Sequence, residues 1–219
     1  MTIRIGDRAP DFTAETTMGP IDFYDWVGDS WCILFSHPKD FTPVCTTELG
    51  VMAALKPEFD RRDCKIIGLG VDPVERHVDW SKDIEDVTGF APNYPLIGDG
   101  DLAVSKLYGM LPAKLDGSAG NRTAADNATV RSTFIVGPDK QIRLILAYPM
   151  TCGRNFAEVL RALDALQMGE MHRLATPANW QPGDDVVIAT TVSDDEARKL
   201  FPDGWRSPKP YIRYVPQPA

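Results

Sequence analysis

Cysteine and histidine are scarce in this chain, and the few that are present are not spaced like metal ligands. Four cysteines and three histidines occur among 219 residues, and no two cysteines form a Cys-x-x-Cys pair. Zinc sites in proteins usually depend on such close spacing. We therefore expect neither a bound metal nor a cofactor.

Long apolar runs and basic clusters are also lacking. A membrane-spanning helix needs about eighteen or more consecutive apolar residues, and the chain has no such run. The net charge of −8 is spread along the sequence, which disfavours a nucleic-acid partner and is compatible with a small neutral substrate. Since 43% of the residues are hydrophobic, the chain can bury a sizeable core. We expect a globular protein without a membrane span.

The start of the chain shows no targeting signal. Residues Met1–Gly6 lack the charged and then apolar pattern of a secretory leader. An even number of cysteines is compatible with disulfides, but a chain of this length does not need them to be stable. We therefore expect a cytoplasmic protein with free thiols.

One cysteine occupies a position that favours reactivity. Residues Trp31–Ser36 form a short apolar run typical of a buried strand. Thr42 and Pro43 then have the preferences of the N-cap and first position of a helix, which places Cys45 at the third position. Backbone N–H groups there favour an anion, and such cysteines can have a pKa lowered from about 8.5 to between about 3.5 and 7.5. The pattern indicates a thiolate at Cys45, although a small buried core residue remains an alternative.

The segment around this cysteine resembles the active-site signature of the peroxiredoxins, whose core pattern is Pro-x-x-x-Thr-x-x-Cys. Pro38, Thr42 and Cys45 supply that pattern here. The similarity is closest to the one-cysteine, peroxiredoxin 6-like branch, and it covers nearly the whole chain. It extends through Gly153–Phe156, Ala175–Trp180 and Tyr211–Tyr214.

The resemblance implies a thiol-dependent peroxidase that reduces hydrogen peroxide and organic hydroperoxides in antioxidant defence. The Cys45 thiolate would attack one peroxide oxygen, water or an alcohol would leave, and a sulfenic acid would remain. Thr42 would direct its hydroxyl at the thiolate or the peroxide, and Pro38 would shield the sulfur from water. Arg131 would supply a fixed positive charge. Helix capping is an alternative use of the same Thr42 hydroxyl.

The sequence allows both a structural and a functional interpretation of Arg131, Arg154 and His37. Arg131 opens a strand-like run, where an arginine is more often a solvated surface group, so only the resemblance supports a site role. Arg154 opens a probable helix, where its charge is unfavourable unless a site requires it. His37 could support the site or satisfy a backbone carbonyl. His77 and His172 lie on charged stretches that we expect to be exposed, and we assign them no role.

The remaining cysteines differ in their surroundings. Cys32 and Cys64 lie in or beside apolar runs and are expected in the core. Cys152 stands next to Gly153, in a segment that the family brings toward the catalytic pocket. The chain lacks the C-terminal Val-Cys-Pro cysteine of two-cysteine relatives, so we expect an external, unidentified thiol to reduce the sulfenic acid. A resolving role for Cys152 stays open.

Two other functions deserve comparison. The segment Gly28–Cys32 resembles the Gly-Asp-Ser-Trp-Gly stretch to which phospholipase A2 activity is attributed in some animal relatives. Here Cys32 replaces the second glycine, and Tyr24 stands where those relatives carry histidine, so Ser30 lacks a base and we do not expect this activity. A redox sensor or chaperone that oxidises the same thiol is the non-enzymatic alternative.

Strands and helices alternate along the first three quarters of the chain, which predicts an α/β fold. A turn at Gly137–Lys140 joins two strands as a hairpin, so the sheet must be mixed, and a thioredoxin-like core with flanking helices fits this order. The stretch between Leu111 and Val130 lacks periodicity and is expected to be an exposed loop. The predicted elements are strands at Trp31–Ser36, Lys65–Val71, Ser132–Val136 and Gln141–Ala147, and helices at Pro43–Phe59, Val74–Asp86 and about Arg154–Gln167.

The last part of the chain is rich in proline and reads as a small separate domain. It contains a strand candidate at Val186–Thr190 and a capping box at Ser193–Glu196 that opens a short helix to Phe201. We place the peroxidase domain at residues 1–170 and the C-terminal domain at 171–219. By resemblance, the second domain is expected to pack on a partner subunit in a homodimer. Assembly of dimers into a ring is left open.

Overall fold

The structure is a computed structural model that describes residues 3–113 and 128–218. Most of the predicted loop between Leu111 and Val130 therefore lies outside the described residues. The chain divides into two compact units, Met1–Phe156 and Ala157–Ala219.

A five-stranded mixed sheet forms the centre of the first unit. Its strands lie in the order β5 (Leu96–Gly98), β4 (Cys64–Gly70), β3 (Trp31–Ser36), β6 (Arg131–Val136) and β7 (Ile142–Tyr148). Strands β3, β4 and β5 are parallel, and β6 and β7 run antiparallel to their neighbours. This arrangement confirms the predicted thioredoxin-like fold. In chain order the elements are β1 (Thr13–Ala14), β2 (Ile21–Asp22), α1 (Phe23–Val27), β3 (Trp31–Ser36), α2 (Pro43–Asp60), β4 (Cys64–Gly70), α3 (Val74–Thr88), β5 (Leu96–Gly98), α4 (Ala103–Leu107), β6 (Arg131–Val136) and β7 (Ile142–Tyr148).

The central strand β3 explains why its sequence is apolar throughout. All six of its residues are buried, since it pairs with β4 on one edge and β6 on the other and is covered on both faces. Leu34, for example, lies opposite Ile67 in the parallel pair and Phe134 in the antiparallel pair. The bounds predicted for β3 agree with the structure. Those of β4 differ from the structure by one residue at both ends, and those of β6 by one residue at the start. The short strand β5 was missed, because three residues are too few to show a periodicity.

Helix α2 begins where the sequence predicts. Thr42 occupies the N-cap position with an extended backbone (φ −121°, ψ 145°), Pro43 follows at the first helical position, and Cys45 is the third. The Thr42 hydroxyl, however, makes no capping hydrogen bond to the helix. The first turn of α2 therefore keeps its backbone N–H groups directed at the region around Cys45.

The second unit has its own antiparallel sheet, of order β10-β11-β9-β8. The capping box is confirmed, since the Ser193 side chain accepts from the Glu196 N–H and the Glu196 carboxylate accepts from the Ser193 N–H. A small core surrounds Trp180, which is 2% exposed. The strands at the end of the chain were not predicted. The elements are α5 (Phe156–His172), β8 (Leu174–Ala175), β9 (Val186–Ile188), α6 (Asp194–Leu200), β10 (Arg206–Lys209) and β11 (Ile212–Val215).

None of the helices in the two described ranges combines the length and the apolar character that a bilayer crossing requires.

Candidate active site

Cys45 lies in the first turn of α2, and none of its surface is exposed. Its Sγ atom accepts a hydrogen bond from Nη1 of Arg131 at 3.3 Å. The contact puts a positive charge and an N–H donor directly against the sulfur atom. The position predicted for a reactive thiol is thus next to a fixed cation.

Arg131 is held from two sides. It is the first residue of β6 and is 3% exposed, so the alternative of a solvated surface arginine does not apply. Its Nε and Nη2 atoms donate to the carbonyl oxygen of Met150, at 2.9 and 2.6 Å. Its Nη1 atom donates to the Glu48 carboxylate at 2.8 Å as well as to sulfur. Because each of its three nitrogens makes at least one hydrogen bond, the guanidinium has one defined orientation.

Glu48 is the residue that sequence reasoning missed. It lies one helical turn after Cys45, is 3% exposed, and contacts both site arginines. Burial raises the pKa of its carboxyl, but hydrogen bonds and charge from Arg154, with a smaller effect of Arg131, outweigh burial and lower it. The sequence did contain a signal for the burial of Glu48, because this residue lies beside Leu49 on the apolar side of α2.

Arg154 precedes α5, which begins at Phe156, and its guanidinium turns into the site. Its backbone N–H and Nε donate to Oε1 of Glu48 at 2.8 and 3.0 Å, and Nη2 donates to Oε2 at 2.7 Å. Nη1 donates to the Ser132 carbonyl at 2.9 Å and the Thr133 hydroxyl at 3.2 Å. One carboxylate between two arginines leaves an excess of positive charge beside the sulfur.

The loop before α2 carries the other predicted site residues. Thr42 donates its hydroxyl hydrogen to the Lys39 carbonyl at 2.9 Å. Its lone pairs remain available to an incoming donor. Pro38 is buried at the start of this loop, directly after β3.

His77 does not behave as the sequence suggested, and the ring of His37 bonds a carboxylate of its own loop. His77 is completely buried, not exposed, because it shares the inward face of α3 with Trp80 and Ile84. His37 bonds through Nε2 to Oδ1 of Asp40 at 2.7 Å, not to a backbone carbonyl. His77 bonds through Nδ1 to the other oxygen of Asp40 at 2.6 Å. The spacing of His77, Trp80 and Ile84, typical of one helix face, was a usable signal for burial.

These three side chains are also the one set of metal-ligand type found among the described residues. Their nitrogen–oxygen distances of 2.7 and 2.6 Å are hydrogen-bond lengths. Ligand atoms around a tetrahedral zinc ion lie about 3.3 Å apart, given metal–ligand bonds of about 2.0 Å. The arrangement fits a hydrogen-bonded network better than a metal site.

The remaining cysteines are placed as expected. Cys32 and Cys64 are buried, and burial raises the pKa of both thiols, which opposes reactivity. Cys152 is exposed and lies two residues after Met150, whose carbonyl holds Arg131. Next to it, a Cβ on Gly153 would lie 3.4 Å from the Val44 side chain. Cys152 thus stands at the rim of the site.

The phospholipase-like segment has no catalytic partner. The Ser30 hydroxyl donates to Oδ1 of Asp63 at 2.7 Å. The Tyr24 hydroxyl donates to the Ala9 carbonyl at 2.5 Å and accepts from Arg8 at 2.9 Å. The described side chains around Ser30 therefore supply no histidine base, in agreement with the sequence.

Comparison with known proteins agrees with this site. A profile of the AhpC/TSA family matches residues 5–145, and one of the C-terminal domain of 1-Cys peroxiredoxin matches residues 165–204. The chain is 48% identical to the 1-Cys peroxiredoxin of Dictyostelium discoideum over 216 residues, 99% of this chain and 86% of that one. It is 49% identical to peroxiredoxin-6 of Rattus norvegicus over 224 residues, 98% of this chain and 97% of the relative.

A solved structure of a yeast mitochondrial 1-Cys peroxiredoxin has a TM-score of 0.88 to this chain at 48% identity, with 98% of this chain and 100% of the other covered. The match extends over both units and over the segment that contains Cys45. The buried thiol, its arginine contact and these similarities lead to one conclusion: the chain belongs to the peroxiredoxins, thiol-dependent peroxidases of antioxidant defence, and to their one-cysteine branch.

Proposed function

We propose that Cys45 is the peroxidatic nucleophile of this enzyme. The observation that carries the proposal is the 3.3 Å contact between its sulfur and the Arg131 guanidinium, in the first turn of α2. The thiolate attacks one peroxide oxygen, a sulfur–oxygen bond forms and the O–O bond breaks. The leaving oxygen takes up a proton and departs as water or an alcohol, and the cysteine is left as a sulfenic acid.

Thr42, Pro38 and Arg131 act on the peroxide in this scheme. The Thr42 hydroxyl, oriented by its bond to the Lys39 carbonyl, offers a lone pair to the O–H of the peroxide. Arg131 stabilises negative charge that moves from sulfur to the leaving oxygen, and the Cys45 N–H assists it. Pro38, buried beside the site, excludes water from the sulfur.

Arg154 and His37 support the reaction without being the nucleophile. Arg154 holds Glu48, which in turn holds Arg131, so its role is to fix the geometry of the catalytic guanidinium. His37 is joined to Asp40 in the loop that carries Pro38 and Thr42. Both are assigned as supporting residues.

Organic hydroperoxides are proposed as substrates besides hydrogen peroxide. A shallow groove, lined by Phe41, Thr42, Pro43 and Trp80 among others, is continuous with the site through Thr42. Its lining is mainly apolar, so it can accept an alkyl or aryl group while the hydroperoxide end reaches Thr42.

An external thiol is proposed to reduce the sulfenic acid. Sulfenic acid and thiol condense to a mixed disulfide with release of water, and a second thiol releases Cys45. The yeast relative is described as resolved by glutathione and thioredoxin systems, which makes both reductants the first to try. Cys152 is the internal alternative.

The domain roles and the oligomeric state are proposed from the resemblance to the family. We propose residues 1–170 as the peroxidase domain and 171–219 as the dimerisation domain of a homodimer. Assembly of the dimers into a ring stays open. All four cysteines are free thiols, which supports a reducing compartment, and we propose the cytoplasm.

The test is peroxide consumption with excess dithiothreitol by the wild type, Cys45→Ser and Cys152→Ser, with the oxidised species followed by intact mass. We expect Cys45→Ser alone to abolish turnover, and a sulfenic or overoxidised monomer to accumulate before reductant is added. Turnover by Cys45→Ser would overturn the assignment, and a Cys45–Cys152 disulfide would make Cys152 the resolving thiol. Wild-type oxidation without repeated turnover would favour the sensor function.

A further inference from the structure

His37 forms a buried network with Asp40 and His77, and the latter two residues have no part in the reaction as described so far. The three residues are 0%, 1% and 0% exposed. Asp40 accepts from both rings, one at each carboxylate oxygen. Burying three ionisable groups together is costly unless their charges and hydrogen bonds are matched, so the network calls for an explanation.

The hydrogen bonds hold His77 between two acceptors. Nδ1 faces Oδ2 of Asp40 at 2.6 Å, and Nε2 faces the carbonyl oxygen of Ile97 at 3.1 Å. Burial raises the pKa of Asp40, but the hydrogen bonds from His37 and His77 outweigh it and lower the pKa to about 2, so the carboxylate is ionised. The ring thus links the Asp40 carboxylate to the backbone of β5.

His37 is the neutral member of the network. Burial lowers its pKa, the hydrogen bond and charge of Asp40 act in the opposite direction, and the positive charges of His77 and Arg154 lower it further. A neutral ring donates Nε2–H to Asp40. The Asp40 carboxylate thus shares its two oxygens between the two rings, which supplies the hydrogen bonds that a buried anion requires.

The network is tied to the loop that carries the catalytic groups. The backbone N–H of Asp40 donates to Oδ2 of Asp72 at 3.0 Å. The N–H of His37 donates to the Leu69 carbonyl at 2.8 Å, and its carbonyl accepts from the Thr129 hydroxyl at 2.9 Å. Phe41, directly after Asp40, has φ of 54°, a conformation that a non-glycine residue keeps only when its surroundings hold it there.

Strand β4 leaves room for the His37 and His77 rings at Gly70. A Cβ on Gly70 would lie 2.5 Å from Cε1 of His37 and 2.8 Å from Cε1 of His77. Any side chain at this position of β4 would displace both imidazoles. The ring pair, 5.4 Å apart between centroids, therefore depends on the glycine.

We propose that His77 is a positioning residue for peroxide reduction. Anchored to the Ile97 carbonyl of β5, it holds the Asp40 carboxylate, and Asp40 holds His37 and the loop from Pro38 to Thr42 in the geometry that the reaction needs. This inference rests on the proposed role of Cys45. It adds His77 and Asp40, which do not contact the sulfur, to the residues that support the reaction.

The test compares two reactions of the same thiol in the wild type, His77→Gln and Asp40→Asn. Oxidation by hydrogen peroxide needs both the thiolate and the positioned loop, whereas alkylation by iodoacetamide needs the thiolate alone. We expect the rate constant for peroxide to fall by about 10- to 100-fold in either variant, because small displacements of catalytic groups have effects of that order. Alkylation should stay within about twofold of the wild type.

Three control variants distinguish a positioning role of His77 from a general effect of substitution and from loss of the thiol. His172→Gln, a matched change in the second unit, should alter neither rate. The double variant should be no slower than the slower single variant, since both changes act through one contact. Cys45→Ser tests the proposed function independently, because it removes both reactions whether or not His77 matters.

Three outcomes would overturn the proposal. Peroxide rates equal to those of His172→Gln would remove any positioning role. Parallel loss of both rates, or failure of both His77→Gln and Asp40→Asn to fold, would leave only a role in stability. Loss of wild-type activity in a chelator, restored by zinc, would make the cluster a metal site.

Discussion

Arg154 binds both carboxylate oxygens of Glu48, with Nε 3.0 Å from Oε1 and Nη2 2.7 Å from Oε2. This two-point contact leaves the outer edge of the carboxylate to a second guanidinium, that of Arg131, which reaches the sulfur of Cys45. Together with the Met150 carbonyl, this single acidic residue thus determines where the cation beside the thiol stands.

Replacing Glu48 by glutamine should destabilise the protein. The amide keeps the shape of the side chain but leaves two buried arginines without a counter-charge, and breaking a buried ion pair in this way costs about 3 kcal/mol or more. Urea unfolding measures the loss. Glu85→Gln, on an exposed position of α3, is the matched control, and an equal unfolding midpoint for the two variants would contradict the prediction.

Replacing Arg131 by lysine should slow peroxide reduction while retaining the positive charge. An ammonium cannot bond the Met150 carbonyl, Glu48 and the sulfur in the fixed planar geometry of the guanidinium. We expect kcat/KM for hydrogen peroxide to fall by about 10²- to 10³-fold, the usual effect of losing one charge-stabilising donor. Arg198→Lys, on the exposed α6, should behave as wild type. A value for Arg131→Lys near that of the control would show that charge alone suffices.

Truncating Phe41 should affect large substrates more than small ones. Phe41 is 45% exposed in the groove next to Thr42, and the Arg76 guanidinium lies 5.0 Å from the centre of its ring. Loss of the ring in Phe41→Ala removes apolar contact for an aryl group, so KM for cumene hydroperoxide should rise about tenfold.

The comparison substrate is hydrogen peroxide, which has no apolar part, so its KM should remain nearly unchanged. Phe90→Ala provides the control, because Phe90 is 50% exposed and does not line the groove. Equal changes for both peroxides in Phe41→Ala would argue against binding of substrate in the groove.

Acid should weaken the fold through Asp40. Its pKa in the folded protein is about 2, below the ordinary value of 3.8. The unfolded chain therefore binds more protons in this range, and the stability that Asp40 contributes is complete above pH 3.8 and lost as the pH falls through 2. The loss should be about 2 kcal/mol. Urea midpoints from pH 5 down to pH 2 measure it.

In Asp40→Asn this part of the pH dependence should disappear, and the variant should already be less stable at neutral pH. A wild type and variant whose stabilities decline in parallel with acid would show that Asp40 is not the group responsible.

Local sequence was sufficient for the elements that carry the thiol. The apolar run of β3, the Thr42–Pro43 helix start and the position of Cys45 all depend on residues close together in the chain, and their prediction is confirmed. The same holds for the capping box at Ser193–Glu196. The β5 strand and the last two strands were missed, since short strands have little periodicity and are formed by pairing with distant partners.

The sequence by itself thus determined the family, the α/β fold and the place of Cys45 in the first turn of a helix, because these depend on motifs and on local preferences. Only the tertiary structure decided that Glu48 joins Arg131 to Arg154 and that His77 is buried against Asp40. These contacts connect residues that lie 83, 106 and 37 positions apart. A charged residue looks the same in sequence whether water or a buried partner surrounds it, and only the folded chain brings the partner to it.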